Sequence, residues 1–278
     1  MRKKVSCHII TYNQKNFISK CIDGVLMQQT NFSFELIIGD DNSTDGTREI
    51  LIQYQKKFPK TITLNLRSKR GTGIPGKENF VSTLEMCKGE YISLCDGDDY
   101  WTDPLKLQKQ VDFLENNTDY SICFTDYLSF HQQKNTYSKS NIYNVLCNRD
   151  EFELKDIIKF NFIPTLTVVY RNTFSPLPKE FEQLYPGDWP LHVLNARNGK
   201  IKFLPMISAV YRMHESGVCS SSKPIENYKR YLKSIGIMQT WFSKSSYSII
   251  HAFFVARMII YKDILKYFIK TKLIRWVK

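Results

Sequence analysis

An α/β fold, with a mixed and mostly parallel sheet flanked by helices and a basic helical extension at the C-terminus, is what the 278-residue sequence predicts. Three observations predict it. Short apolar runs alternate with helical periodicity through the first 125 residues, acidic clusters follow directly on two of those runs, and most of the excess positive charge sits in the last 56 residues. Strands alternating with helices of this length imply parallel pairing with both faces covered, and in such sheets ligands sit beyond the carboxyl ends of the strands.

The first strand is marked by Val5, Cys7 and Ile9, which alternate with a period of two. Phe17, Ile18, Cys21, Ile22, Val25 and Leu26 then recur at helical spacing. Phe34 to Ile38 reads as a second strand, the polar run Gly39 to Gly46 as a turn, and Ile50, Leu51 and Tyr54 as the inner face of a helix. Ile62 to Leu66 is a third strand; Phe80, Leu84 and Cys87 mark a helix, and Tyr91 to Cys95 a fourth strand. Asp103 and Pro104 form a helix start before Leu107, Val111 and Leu114, and Ile122 to Phe124 closes the series. Beyond about residue 130 the rhythm breaks. His131 to Asn141 is expected to be a loop, and a less regular stretch with Pro164, Pro176, Pro178, Pro186 and Pro190 follows.

Composition excludes several classes. With 42% apolar and 14% aromatic residues the chain can bury a core, so it is not disordered. No run of about 18 apolar residues free of charge occurs, and Met1 to Lys4 is followed by a stretch cut by Ser6, His8 and Thr11, so neither a span nor a secretion signal is expected. The seven cysteines include no Cys-x-x-Cys pair, which argues against disulfides and zinc. Residues 223–278 hold 12 Lys and Arg against Glu226 and Asp263, leaving the body nearly neutral within a formal charge of +12. A basic tail beside acidic strand ends does not suit a nucleic-acid binder. Gly71 to Gly76 matches Gly-x-Gly-x-x-Gly, but Pro75 lies inside it and no helix opens on its last glycine, so a dinucleotide site is not expected.

Asp96 and Asp98, separated by a glycine that allows a tight turn, can face one point and hold a hard divalent cation through oxygen. Such a cation completes its shell from substrate phosphate and water. The competing reading is a solvent-facing turn, weakened here because Asp103 already supplies the helix cap.

Val5 to Asn13, Glu35 to Thr47, and Gly89 to Ile92 running into Asp96-Gly97-Asp98-Asp99-Tyr100-Trp101 together resemble the family 2 glycosyltransferases of the GT-A fold, the nucleotide-diphospho-sugar transferase fold. The resemblance implies transfer of a sugar from a nucleotide diphosphate sugar, UDP favoured, to a hydroxyl with inversion, helped by Mn²⁺ or Mg²⁺. Carried onto this chain, it implies that Thr11 and Tyr12 pack around the nucleoside, Asp41 bonds the base, Asp40 supports that loop, and Asn79 is a nucleotide-side asparagine. Asp96 approaches the ribose or the cation, Asp98 ligates the cation, and within Tyr211-Arg212-Met213-His214 the histidine ligates while Arg212 pairs with phosphate. Asp188 is the expected base, although many relatives carry Glu-Asp where this chain has Gly187-Asp188, and Trp189 could stack on an acceptor sugar.

The same resemblance divides the chain into a catalytic domain, 1–222, with a nucleotide-sugar half 1–125 and an acceptor half 126–222, followed by the tail 223–278. The implied acceptor is a glycan or lipid-linked glycan of surface polysaccharide synthesis. Lys262, Lys266 and Lys270 recur at i, i+4 beside apolar residues, so a cytosolic protein is expected whose residues 245–278 lie peripherally on the anionic inner membrane. The alternatives are an inactive GT-A-like scaffold and a basic nucleic-acid-binding protein.

Overall fold

The structure is a computed structural model and describes residues 3–173, 176–215 and 224–276. The predicted alternation is present: β1 (Val5–Thr11), α1 (Ile18–Leu26), β2 (Phe34–Asp40), α2 (Thr47–Lys57), β3 (Ile62–Leu66), α3 (Lys77–Met86) and β4 (Tyr91–Asp96) follow in order. β5 (Tyr100–Trp101), α4 (Lys106–Asn116) and β6 (Tyr120–His131) complete the first half. α4 opens later than expected, at Lys106 with Leu105 as its N-cap, and Asp103 instead closes the turn just before it, its Oδ1 accepting from the Leu105 backbone N–H at 2.9 Å.

The strands form one mixed sheet in the order β3-β2-β1-β4-β9-β6-β10-β5. β1, β2, β3 and β4 pair in parallel, and so do β6 and β10 (Lys200–Met213). Between these two parallel halves stands β9 (Val169–Arg171), antiparallel to β4 on one side and to β6 on the other. The stretch expected to be a loop, 131–141, is instead largely a hairpin: β7 (Thr136–Lys139) folds back on the end of β6. Its side chains are exposed, so it carries no apolar alternation from which a strand could be read.

Each face of the sheet has its own core. Val5, Cys7 and Ile9 of β1 pack with Ile18, Cys21, Ile22 and Val25 of α1, while Ile37, Leu94 and Ile122 face Phe80 and Leu84 of α3 and Leu191 of α7 (Asp188–Asn195). α3 comes unusually close to β2 because Gly39 has no side chain. A Cβ there would collide with Thr83 Oγ1 and Asn79 Oδ1, both in buried residues. Gly39→Ala is therefore expected to destabilise the fold by about 1–3 kcal/mol, seen as a lower urea midpoint at unchanged m-value.

Five cysteines, Cys7, Cys21, Cys87, Cys95 and Cys123, are buried free thiols and Cys147 is an exposed one; Cys219 and the expected boundary at residue 222 lie outside the described residues. The short α5 (Ile142–Val145), β8 (Glu151–Phe152) and α6 (Leu154–Lys159) precede β9. At the C-terminus α8 (Pro224–Thr240) and the 30-residue α9 (Tyr247–Trp276) form the helical extension. Ala252, Phe253 and Ala256 of α9 are buried in the same core cluster as Ile157 of α6 and Ile235 of α8, while much of the helix beyond them is exposed.

Candidate functional site

Register brings the candidate residues together. Thr11 pairs with Asp40 and Ile10 with Asp96, so the carboxyl ends of β1, β2 and β4 meet at one edge. At this edge Thr11 accepts the Asp41 N–H at 3.1 Å through its carbonyl and donates its hydroxyl to Gln14 Oε1 at 2.7 Å. Asp40 is fully buried and receives Arg48 Nε at 2.8 Å and the Ser43 N–H at 3.1 Å, tying down the loop after β2. Asp41 accepts the Gly71 N–H at 3.2 Å and lies 3.0 Å from Arg67 Nε. The half-buried Tyr12 ring is covered by the Arg70 guanidinium at 3.9 Å, a planar stack at the mouth of this corner.

Asn79 is a correction. It is buried on α3, donating to the Gly39 carbonyl at 2.9 Å, with Thr83 bonding its Oδ1. Its amide clamps helix to strand and presents nothing to a nucleotide.

The acidic loop joins β4 to β5. The Gly97 N–H bonds the Ile10 carbonyl at 3.0 Å, and a Cβ on Gly97 would collide with Gln14 Oε1. A side chain there would displace Gln14 and press on Thr11, so glycine suits a loop lying against β1. Because β5 pairs with β10 at Tyr100 and Val210, the loop is carried onto the end of β10, where Asp98 Oδ2 lies 3.0 Å from His214 Nε2. Asp99 has a different use. Its buried Oδ1 accepts the Arg212 N–H at 2.8 Å, and burial together with Asp98 and Asp96 holds its carboxyl well above the usual carboxylate range. Burial, and then the charges of Asp98 and Asp188, push Asp96 up to about 8.

Arg212 is the second correction. Its side chain is buried among Phe17, Tyr100 and Phe130, donating Nε to the Asp98 carbonyl at 2.9 Å and Nη1 to Gln132 Oε1 at 2.8 Å. It braces the acidic loop, and its guanidinium is committed to the Asp98 carbonyl and Gln132.

Asp188 opens α7. Its Oδ2 accepts from Asn161 Nδ2 at 3.1 Å and Thr165 Oγ1 at 2.9 Å, and Oδ1 accepts the Trp189 N–H at 2.8 Å. Asp188, Asp96, Asp99, Tyr127, Thr165 and Tyr211 line one cleft of about 160 Å³. The supporting groups Asn161 and Thr165 were not visible in the sequence, where they are two polar residues without periodicity. Tyr127 and Tyr211, 6.2 Å apart edge to face, are the aromatic wall that the sequence reading sought elsewhere. Trp189 is the third correction: it is 2% exposed, donates its indole N–H to the Ile157 carbonyl at 2.6 Å, and packs on Tyr231. It offers no face to a sugar.

Lys77 is also buried here, its Nζ without a hydrogen-bond partner and 4.8 Å from the centre of the Phe181 ring, at the first turn of α3. Burial lowers its pKa to about 8, against the opposing pull of Asp188 and Glu182. The folded chain thus sheds this proton more readily than the unfolded chain, so the cost is full below pH 8 and fades as pH rises toward the ordinary lysine value. Lys77→Met is expected to stabilise the fold at pH 7 by about 1–4 kcal/mol, with the gain shrinking by pH 10 in urea titrations.

Among the described residues no three His, Cys, Asp or Glu side chains are gathered closely enough to enclose a cation by themselves. The Asp98 and His214 pair, with Asp96 two residues away, nevertheless offers oxygen and nitrogen donors of the kind Mn²⁺ accepts.

Comparison with known proteins places this geometry. The family described as Glycosyl transferase family 2 matches residues 6–177. Protein Rv1520 of Mycobacterium tuberculosis is 38% identical over 215 residues, which are 77% of this chain and 60% of that protein, so the chain spans about three fifths of that relative's length. The Escherichia coli protein WfaP, a UDP-Glc:alpha-D-GlcNAc-diphosphoundecaprenol beta-1,3-glucosyltransferase, is 28% identical over 84% of this chain and 87% of its own. Among solved structures, S. aureus TarS 1-349 in complex with UDP-GlcNAc superposes with a TM-score of 0.66 at 18% identity, covering 90% of this chain and 69% of TarS. The mannosyltransferase PcManGT from Pyrobaculum calidifontis, in complex with GDP-Man and Mn2+, gives 0.64 at 16% identity, covering 94% and 74%. These two share the fold, and the match over residues 6–177 assigns this chain to glycosyl transferase family 2.

Proposed function

We propose that this protein transfers a glycosyl group from a UDP-sugar to a hydroxyl of a glycan or lipid-linked glycan acceptor, with inversion at the anomeric carbon. The observation that carries the reading is the shared cleft: Asp188, held by Asn161 and Thr165, faces the same space as Asp96, beside the Asp98 and His214 pair. In this reading residues 1–125 hold the donor and 126–222 the acceptor.

The step needs a base on one side of the anomeric carbon and charge neutralisation on the other. Asp188 accepts the acceptor hydroxyl proton as that oxygen bonds to the anomeric carbon. The bond from that carbon to the β-phosphate oxygen breaks, and the electron pair leaves with the nucleoside diphosphate. Tyr12, with Arg70 behind it, and Asp41 border the nucleoside; Tyr127 and Tyr211 wall the sugar side. A divalent cation, Mn²⁺ or Mg²⁺, would be held by Asp98 and His214 with help from Asp96, and supplies positive charge at the departing diphosphate.

UDP is favoured because a carboxylate side chain such as Asp41 can accept the uracil N3–H, and because two similar proteins are described with UDP-sugars. A lipid-linked acceptor is supported by the WfaP likeness, in which the acceptor is a diphosphoundecaprenol. The test is calorimetry with UDP and with GDP, each with and without Mn²⁺, followed by hydrolysis of a panel of nucleotide sugars. Mn²⁺-dependent UDP binding and turnover of a UDP-sugar are expected. Preference for GDP overturns the donor assignment, and absence of both nucleotide binding and nucleotide-sugar turnover overturns the enzyme reading in favour of a scaffold.

A further inference from the structure

The surface of α9 carries an inference independent of the cleft. Ala252, Phe253 and Ala256 turn inward, and a second apolar row on the same helix does not. Tyr247, Ile250, Phe254, Met258, Tyr261, Leu265 and Phe268 follow one another at steps of three and four, so they fall on one stripe. All are exposed, Tyr247 by 81%, Phe254 by 57% and Leu265 by 61%. At a rise of about 1.5 Å per residue the row is roughly 30 Å long, and its bulk is aromatic and aliphatic with interfacial tyrosines at two points.

What such a stripe meets is decided by its flanks. Between residues 245 and 270 the charged side chains are Arg257, Lys262, Lys266 and Lys270 against Asp263 alone. Arg257 falls on one side of the row, and Lys262 and Lys266 on the other. A second copy of the helix would set lysines against lysines, with no acidic rows to match them. A surface of negative charge over hydrocarbon matches both the row and its borders. No described helix is long and apolar enough to cross a membrane, so the contact is one of lying in the interface.

We infer that α9 lies along an anionic lipid bilayer, with Phe254, Met258, Tyr261 and Leu265 entering the headgroup boundary and Arg257, Lys262 and Lys266 at its charged surface. The catalytic body is thereby held at the surface where a lipid-linked acceptor would be met.

The test is sedimentation of the full chain with vesicles of phosphatidylcholine alone and of phosphatidylcholine with one third phosphatidylglycerol, in the absence of donor or acceptor. Binding to the anionic vesicles at least tenfold tighter than to the neutral ones is expected, and weakening at high salt. The triple variant Phe254→Ser, Tyr261→Ser, Leu265→Ser should lose anionic-vesicle binding tenfold or more, as should Lys262→Glu combined with Lys266→Glu. Circular dichroism and UDP binding matching the wild type certify that each variant is folded, and separate this outcome from failure of the transferase reading. Equal binding to both vesicles, unchanged binding by the serine variant, or a concentration-dependent dimer abolished by those serines would overturn the proposal.

Discussion

Asp188→Asn is expected to lower kcat by about 10²–10⁴-fold while leaving the dissociation constants of UDP and Mn²⁺ within about twofold. The amide is nearly the same shape; its oxygen can still accept the Trp189 backbone N–H and its nitrogen can donate to Thr165 Oγ1 in place of accepting from it, so α7 should start where it does now with only the Asn161 bond lost. It cannot take up the acceptor proton. Single-turnover measurements on a soluble acceptor, with calorimetry of UDP alongside, separate the two effects. If turnover survives, Asp188 is only the first residue of a helix; if nucleotide binding falls as far as turnover, its role lies with the donor.

Asp98→Asn should show the complementary pattern, a loss of Mn²⁺-dependent UDP affinity of about 10–100-fold or more. The loop itself should persist, because Arg212 is bonded to the Asp98 carbonyl and Asp99 rather than to the Asp98 carboxylate. His214→Gln removes the facing nitrogen and should weaken binding in the same assay and the same direction. Affinity that ignores Mn²⁺ in the wild type, or that is untouched in Asp98→Asn, would remove the cation from the account.

The alternating half of the chain was legible because β1, β2 and β4 are runs largely buried under helices whose inner faces recur at regular spacing. Asp96 and Asp98 were legible because a glycine between acids directly after such a strand has few structural uses. β9 was not, since three residues are too few to show any period. β10 was missed because its pairing with β6 shifts register at several points, which scrambles its alternation. The three corrected side chains share a cause. Asn79, Trp189 and Arg212 each have polar atoms that suit a ligand equally well, and each finds a partner in the fold first: the Gly39 carbonyl, the Ile157 carbonyl and the Asp98 carbonyl. A sequence displays a donor's identity but not the acceptor that another segment will bring to it. For the same reason Lys77 drew no notice, because a lysine opening a helix is usually solvated.

The three-residue β9 has a consequence for how such a molecule diversifies. It joins the parallel strands on its β4 side to those on its β6 side, and the turn just ahead of it delivers Thr165 to Asp188. Asp188 and Asp96 therefore owe their mutual spacing to alignment across a seam. Under the proposed function, loops on the β6 side other than those holding Asp188 and His214 can be exchanged for others that admit a new acceptor, while the corner formed by the ends of β1 and β2 is left as it was.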